Sequence, residues 1–266
     1  MSRRRRLDAE LVRRELASSL SQAQDLIGDR RVLVGGAVAE KASRQVDPGD
    51  AIELIGDGPR FVSRGGEKLA AALDRFGIDL HGQRVVDAGS STGGFTDCAL
   101  QLGAATVIAI DVGRNQLHER MRADPRVVVH EQTNIRGLAA DAVGGPGDTL
   151  VGDLSFISIR TVLDSLLALT VEGGDLVLLV KPQFEADKVE ADRGRGVIRD
   201  PDVWVRTLSE VCTALEQRGA AIMGAMASPI TGGDGNVEFL VHARRGGSTG
   251  DLDQLIDGAL AEVEAR

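Results

Sequence analysis

Four lysines stand among twenty-seven arginines in this 266-residue chain: Lys41, Lys68, Lys181 and Lys188. An amine can lose its proton when it is desolvated or crowded by another cation, whereas a guanidinium effectively cannot. A composition that favours arginine for fixed positive charge makes each lysine a candidate for chemistry. Lys181 ends the apolar run Leu176 to Val180 and precedes Pro182. Asp153 closes the comparable run from Thr149 and is followed by Leu154-Ser155-Phe156. Glu238 falls in the last expected strand, after Gly235-Asn236, and Lys68 lies upstream in Ser63-Arg64-Gly65-Gly66-Glu67-Lys68-Leu69. An acid–lysine–acid–lysine group that converged over a sheet could orient a hydroxyl and take its proton. Spacing leaves plainer readings open, with Glu238 a solvated strand residue and Lys68 a surface helix residue.

A second kind of chemistry is suggested by Asp87-Ala88-Gly89-Ser90-Ser91-Thr92-Gly93-Gly94-Phe95, a glycine-rich turn between a strand and a helix. Glycines let a backbone pass close to a bound cofactor. The spacing is neither the G-x-G-x-x-G dinucleotide fingerprint nor a Walker A loop ending in Gly-Lys-Ser/Thr, so a pyrophosphate cradle is not expected. Asp111 ends the next strand, where an acid can accept hydrogen bonds from a ribose diol in NAD and S-adenosylmethionine enzymes alike. The two cysteines, Cys98 and Cys212, have no disulfide or metal-ligand pattern, and no metal site is expected.

The elements that would position these residues alternate. Strands are expected at Arg84–Asp87, Thr106–Ile110, Val127–Val129, Thr149–Asp153, Leu176–Val180, Ala221–Ala225 and Val237–Val241. Helices are expected through Leu102 and over Ile159–Leu169 and Val203–Arg218. Alternation of this kind predicts an α/β fold with a mostly parallel sheet covered on both faces, and ligands beyond the carboxyl ends of its strands.

The front of the chain reads differently. Leu7, Leu11, Val12 and Leu16 have helical spacing, Ser21 could cap a second helix with Ala23, Leu26 and Ile27 on its apolar side, and Arg31–Val34 reads as a strand. Turns are expected at Gly35-Gly36 and Pro48-Gly49-Asp50, a last strand at Ile52–Ile55, and a linker at Gly58-Pro59. The net charge of the chain is −9, yet residues 1–60 hold eleven bases against ten acids, so any basic face is local and near the front. Arg6-Leu7-Asp8, the run Ser21 to Ile27 and Arg31–Gly36 resemble the S4 RNA-binding domain. The resemblance implies a surface against structured RNA, with Arg4, Arg5, Arg6, Arg13, Arg14, Arg30, Arg31, Lys41 and Arg64 as candidate contacts, mostly to phosphate. The other reading is a solvated arginine face.

About residues 3–245 resemble the TlyA family, ribosomal RNA 2'-O-methyltransferases once described as hemolysins, whose catalytic domain is like that of FtsJ/RrmJ. The matching stretches are Val62–Leu69, Asp87–Thr96, Asp153–Ser158, Leu179–Glu185, Ser228–Ile230 and Gly235–Phe239. The resemblance implies a Rossmann-like class I methyltransferase with a seven-stranded, mostly parallel sheet, preceded by a small α+β S4-like domain. It implies S-adenosyl-L-methionine as cofactor and Lys68, Asp153, Lys181 and Glu238 as a catalytic tetrad. It places the cofactor against Asp87, the loop Gly89 to Phe95, Asp111, Val112, Asn134 and Asp153, with Asn134 toward the adenine. The expected substrate is a cytidine ribose in 16S and/or 23S ribosomal RNA; an arginine-bearing first helix resembles members that act on both subunits. The expected domains are 1–60, 61–245 and an acidic, helical tail 246–266. Residues 185–200, with Lys188, Arg193, Arg195 and Arg199, are either a substrate flap or an idle surface loop.

Rival classes are weaker. No apolar stretch is long enough for a membrane span, and the arginine-rich start lacks the apolar region of a secretory signal, which speaks against a membrane-active hemolysin. Two isolated cysteines fit a reducing cytoplasm. An NAD-dependent oxidoreductase would need neither this loop nor an RNA-binding front. An assembly factor that keeps the fold without activity would be expected to have lost members of the tetrad, and all four are present.

Overall fold

Apolar residues at helical spacing in the first turns of the chain are what the first unit is built around. The protein is described here by a computed structural model covering residues 4–265, apart from Glu15, Ser18, Ser19, Asp57, Gly58, Gly233 and the side chain of Ser21. Ser21, expected to cap the second helix, falls inside it, since that helix starts at Leu20; the linker glycine Gly58 lies outside the described residues. By its internal contacts the chain divides into two units, residues 1–64 and 65–266.

In the first unit, β1 (Arg5–Arg6) leads into α1 (Leu7–Arg13) and α2 (Leu20–Gly28), followed by β2 (Val32–Val34), β3 (Ala37–Val38), β4 (Gln45–Val46) and β5 (Ile52–Leu54). β1 pairs with β4, and β2 sits between β3 and β5, all antiparallel. Leu7, Leu11, Ala23, Leu26, Ile27 and Val32 form a small buried core. The turn at Gly35-Gly36 uses two left-handed glycines, φ +62° and +80°, which makes the short β2–β3 hairpin possible.

The second unit opens with α3 (Gly65–Phe76) and continues β6 (Arg84–Ala88), α4 (Gly94–Gln101), β7 (Thr106–Ile110), α5 (Glu119–Ala123), β8 (Val127–His130) and β9 (Gly147–Gly152). Then follow α6 (Leu163–Ala168), β10 (Thr170–Val180), α7 (Pro182–Glu185), α8 (Lys188–Arg193), α9 (Pro201–Glu216), β11 (Ala220–Ala227), β12 (Phe239–Arg245) and α10 (Leu252–Glu264). The seven strands lie in the order β11-β12-β10-β9-β6-β7-β8, with only β12 antiparallel to its neighbours. This is the α/β class anticipated above. The order reverses between β6 and β9, and a crevice opens at such a switch point beyond the strand ends.

Three local expectations change. The helix anticipated over Ile159–Leu169 is split: a 3-10 turn at Ile159–Thr161 precedes α6, because Val162 sits at φ −124°, outside helical geometry. β10 starts six residues earlier than its apolar run, at Thr170, through an irregular stretch at Gly173-Gly174. Glu238 lies immediately before β12, not within a strand. The acidic end of the chain packs α10 against β11 and α9, burying Ile256 and Ala259.

Candidate active site

The sheet register brings together residues far apart in sequence. Asp153 follows β9, Lys181 follows β10, and Phe239 at the start of the antiparallel β12 pairs with Val180 at the end of β10. Glu238 thus stands at the same end of the sheet as Asp153 and Lys181. Lys68 reaches Glu238 from α3, Nζ to Oε2 at 2.5 Å, with both residues buried. Lys181, also buried, places Nζ 2.6 Å from Asp153 Oδ1 and donates to Ser155 Oγ at 2.7 Å. The contact to Asp153 is close but poorly directed, an ion pair without hydrogen-bond geometry, so that oxygen is left with unused accepting capacity. All four residues singled out for chemistry are therefore present as two adjacent acid–amine pairs at one sheet end. Ser155 joins them; its place beside Asp153 was visible in the sequence, but its side-chain direction was not.

Gly232 is what admits Glu238. A Cβ there would lie 2.7 Å from Glu238 Oε1, so a side chain at this position would push against the carboxylate bound to Lys68.

The glycine-rich turn sits at the end of β6. Gly89, at φ +86°, passes so close to the loop after β9 that a Cβ would lie 2.7 Å from the Asp153 carbonyl oxygen. Ser91 adopts φ +46°, a conformation unusual for a residue with a side chain, and its N–H donates to Asp111 Oδ2 at 2.8 Å. Gly113 N–H donates to Asp111 Oδ1 at 2.6 Å. Asp111 is thereby held rigidly with lone pairs remaining for further donors. Gly93 and Gly94 start α4, while Phe95 and Thr96 are buried. Val112 is 69% exposed, and Asn134 is exposed with Oδ1 accepting the Arg136 N–H at 2.9 Å. Asp87 is fully buried: Oδ2 accepts from Thr96 Oγ1 at 2.6 Å, but Oδ1 has no partner. Burial pushes its carboxyl up to about 7, with the nearby Asp153 charge adding to the rise and the Thr96 hydroxyl opposing it.

A third group ties the loops together. Glu185, buried at the end of α7, accepts from Ser158 Oγ at 2.5 Å, Ile159 N–H at 2.7 Å and Arg160 Nε at 3.3 Å. Arg160 also donates to the Glu185 carbonyl and to Glu210. The loop that carries Asp153 is thus pinned to the short helix that follows Lys181. Between them Phe156, 91% exposed and at φ +63°, leans on Phe184 with ring centroids 5.2 Å apart. Lys181 Nζ lies 5.8 Å from the Phe184 ring centre. Neither the buried carboxylate nor the aromatic pair stands out in the sequence.

The expected RNA-binding cations of the first unit divide sharply. Arg6 clasps Asp8 through two nitrogens, 2.6 and 3.0 Å, and Arg13 does the same to buried Glu10. Arg14 bonds Glu10 and the carbonyls of Asp50 and Pro48. The hydrogen-bonded Arg13 holds the Glu10 carboxyl down at about 2, with Arg14 assisting and burial opposing. Those three guanidiniums brace α1 rather than face outward unengaged. Arg4, Arg30 and Arg64 pair with Asp47, Glu40 and Asp25, and Arg31 donates to the Ile55 carbonyl. Among the described residues Arg5 and Lys41 are exposed without such a partner, as is Arg44, which the sequence reading passed over. The backbone of the 42–46 segment pairs with residues 5–8, so these three cations belong to one neighbourhood.

A seven-stranded sheet with one antiparallel strand, a glycine turn after its first strand and a fixed acid after its second defines a methyltransferase of the kind that uses S-adenosylmethionine. Residues 61–245 match the FtsJ-like methyltransferase family and residues 5–52 the S4 domain. The 16S/23S rRNA (cytidine-2'-O)-methyltransferase TlyA of Mycobacterium tuberculosis is 45% identical over 98% of this chain and 99% of its own length. The 23S rRNA (cytidine-2'-O)-methyltransferase TlyA of Campylobacter jejuni is 30% identical over 87% of this chain and 96% of its own. A solved Streptococcus thermophilus structure described as a hemolysin superposes with a TM-score of 0.78 at 34% identity, covering 100% of this chain and 98% of the other. The chain belongs to the TlyA family of FtsJ-like methyltransferases. It is an enzyme whose cofactor is S-adenosylmethionine. Among the described residues no helix is long and apolar enough to cross a membrane.

Proposed function

We propose that this enzyme methylates the 2'-hydroxyl of a cytidine in ribosomal RNA of the small subunit, the large subunit or both, in the cytoplasm. The observation that carries the reading is Lys181 held between Asp153 and Ser155, beside the Lys68–Glu238 pair. A ribose hydroxyl is a weak nucleophile at neutral pH and needs its proton removed or oriented as it attacks. Lys181 is the group placed to take the 2'-hydroxyl hydrogen, and Asp153 and Ser155 hold its amine in position. As the oxygen–methyl bond forms and the methyl–sulfur bond breaks, the hydroxyl proton passes to the Lys181–Asp153 pair. Lys68 and Glu238 neutralise each other and fix the wall against which the ribose rests.

S-adenosylmethionine supplies an activated methyl group on a sulfonium. Asp111 is suited to the ribose diol of that cofactor, and the loop Gly89 to Gly94 lets the methionine part approach the backbone. Val112 and Asn134 would border the base, and buried Asp87 offers an unpartnered oxygen beneath the loop. The close backbone of the loop and the spare accepting capacity of Asp111 and Asp87 fit that cofactor. The exposed Phe156, backed by half-buried Phe184, provides an aromatic surface next to Lys181 for an unstacked base. The first unit supplies affinity through Arg5, Lys41 and Arg44, with weaker contributions from arginines that must leave an internal partner.

The test is transfer of labelled methyl from S-adenosylmethionine to purified unmodified small and large subunits, wild type beside Lys181→Ala, with the labelled nucleotide mapped. Label on a cytidine 2'-oxygen that disappears in the variant supports the reading. Transfer to a base nitrogen or carbon, or no transfer to either subunit with cofactor bound, sinks it.

A further inference from the structure

The stretch between α7 and α9 carries four bases, Lys188, Arg193, Arg195 and Arg199, and four acids, Asp187, Glu190, Asp192 and Asp200. Their formal charges cancel, but the acids and the bases are engaged differently in the structure. Asp187 and Glu190 close a capping box on α8, Glu190 also takes Arg206 at 2.6 Å, and Asp200 caps α9 by accepting from the Asp202 N–H. Three of the four acids are thus committed to helix starts. All four bases are exposed, and none of their side chains has a hydrogen bond or close ion pair among the described residues. Apart from the pull of Arg193 on Glu190, the cationic side chains are thus free to meet an outside anion, while three of the acids are held at helix starts.

The surface is also held in a fixed shape. Arg195 sits at φ +53°, between Gly196 at φ +83° and Gly194, where a Cβ would overlap the Val197 carbonyl oxygen. Arg193 and Arg199 flank a hollow of about 280 Å³. Asn236, 2% exposed, fastens the stretch from the other side: Nδ2 donates to the Gly196 carbonyl at 2.8 Å and Oδ1 accepts from the Ile198 N–H at 2.9 Å. Asn236 stands two residues from Glu238, in the loop that Gly232 N–H closes onto the Asn236 carbonyl at 2.9 Å. The loop that fastens the cationic stretch therefore also carries Glu238, the partner of Lys68.

We propose that residues 188–199 are an arm that binds the sugar-phosphate backbone of the substrate RNA next to the target nucleotide, and that Asn236 is the positioning residue that sets this arm in register with Lys68 and Glu238. The inference rests on the RNA-substrate reading above. Exposed guanidiniums spread along a turn suit a chain of phosphodiesters, each taken by one fork, better than a single buried anion.

The test uses the full chain with Arg193, Arg195 and Arg199 all changed to Ala, the single variant Asn236→Ala, and their combination. Subunit binding is measured against KCl concentration, S-adenosylhomocysteine affinity by calorimetry, and kcat and KM by methyl transfer. The triple variant is expected to flatten the slope of log affinity against log salt by about 2 to 3. It should raise KM for the subunit about tenfold and leave S-adenosylhomocysteine affinity unchanged. Asn236→Ala is expected to lower kcat/KM about tenfold with the salt slope retained, and to add nothing further when combined with the triple variant. An unchanged slope in the triple variant, the result if the arm serves an acidic protein instead, overturns the arm. Full additivity overturns the role of Asn236. The binding slope needs no turnover, so a wild type that binds subunits without methylating them defeats the substrate reading while the arm is still judged on its slope.

Discussion

Glu238 shows how narrow the tolerances are at the scale of single residues. Its carboxylate is fixed by Lys68 on one side and by the missing side chain of Gly232 on the other. Gly232→Ala is expected to lower kcat ten- to a hundredfold, because shifting by even an ångström a group proposed to position the ribose is costly. Donor affinity and melting temperature should change little, which kinetics beside calorimetry would check. Asp87 gives a second prediction. Its folded carboxyl titrates near 7 against an ordinary 3.8, so between those values the native state holds a proton that the unfolded chain has released. Its contribution to stability is therefore complete below about pH 4 and is lost as pH rises through about 7. Asp87→Asn should remove that part of the pH dependence, on the order of a few kcal/mol. Denaturant midpoints of the cofactor-free protein at pH 5, 6, 7 and 8 would show it; parallel wild-type and variant profiles would refute it.

The elements that carry these residues were largely readable because each sits where a strand ends. Asp153, Lys181, Asp87 and Asp111 follow apolar runs, and an αβ alternation makes the ends of such runs converge. What sequence could not supply was direction. Whether Ser155 turns toward Lys181, or which arginine folds back on its own helix, depends on side-chain torsions that no periodicity records. Glu185 is the instructive omission, since a carboxylate in a short helix reads as surface until the loop after β9 arrives to meet it. Its three donors make it the cross-link between two strand ends. Glu185→Ala should lower stability by about 2 kcal/mol and loosen the Asp153–Lys181 contact, since buried donors are left unmet. A shifted urea midpoint together with reduced kcat at unchanged donor affinity is the expected result.

At the scale of the molecule the charge of −9 conceals a division of labour. The first unit commits much of its arginine to its own frame and leaves Arg5, Lys41 and Arg44 exposed without a bonded partner among the described residues. Changing those three to Ala should weaken subunit binding evenly across RNA sequences and reduce the salt slope by about one per lost phosphate contact. Cofactor affinity should stay as it was. Changing Arg14 should instead destabilise the unit, because its nitrogens serve the Asp50 and Pro48 carbonyls. Denaturation and binding curves measured side by side would separate the two classes of arginine.

The placement of β12 has a consequence for how the protein is made. Though it is the last strand in the chain, it lies inside the sheet, between β10 and β11. During synthesis β11 emerges with no neighbour to pair with, and the sheet must wait for the final strand to be inserted between two that came before it. Glu238 arrives with that strand, and α10 covers β11 only afterwards. The site is therefore incomplete on a nascent chain until β12 has emerged, and the Lys68–Glu238 pair can form only after a ribosome has released that strand.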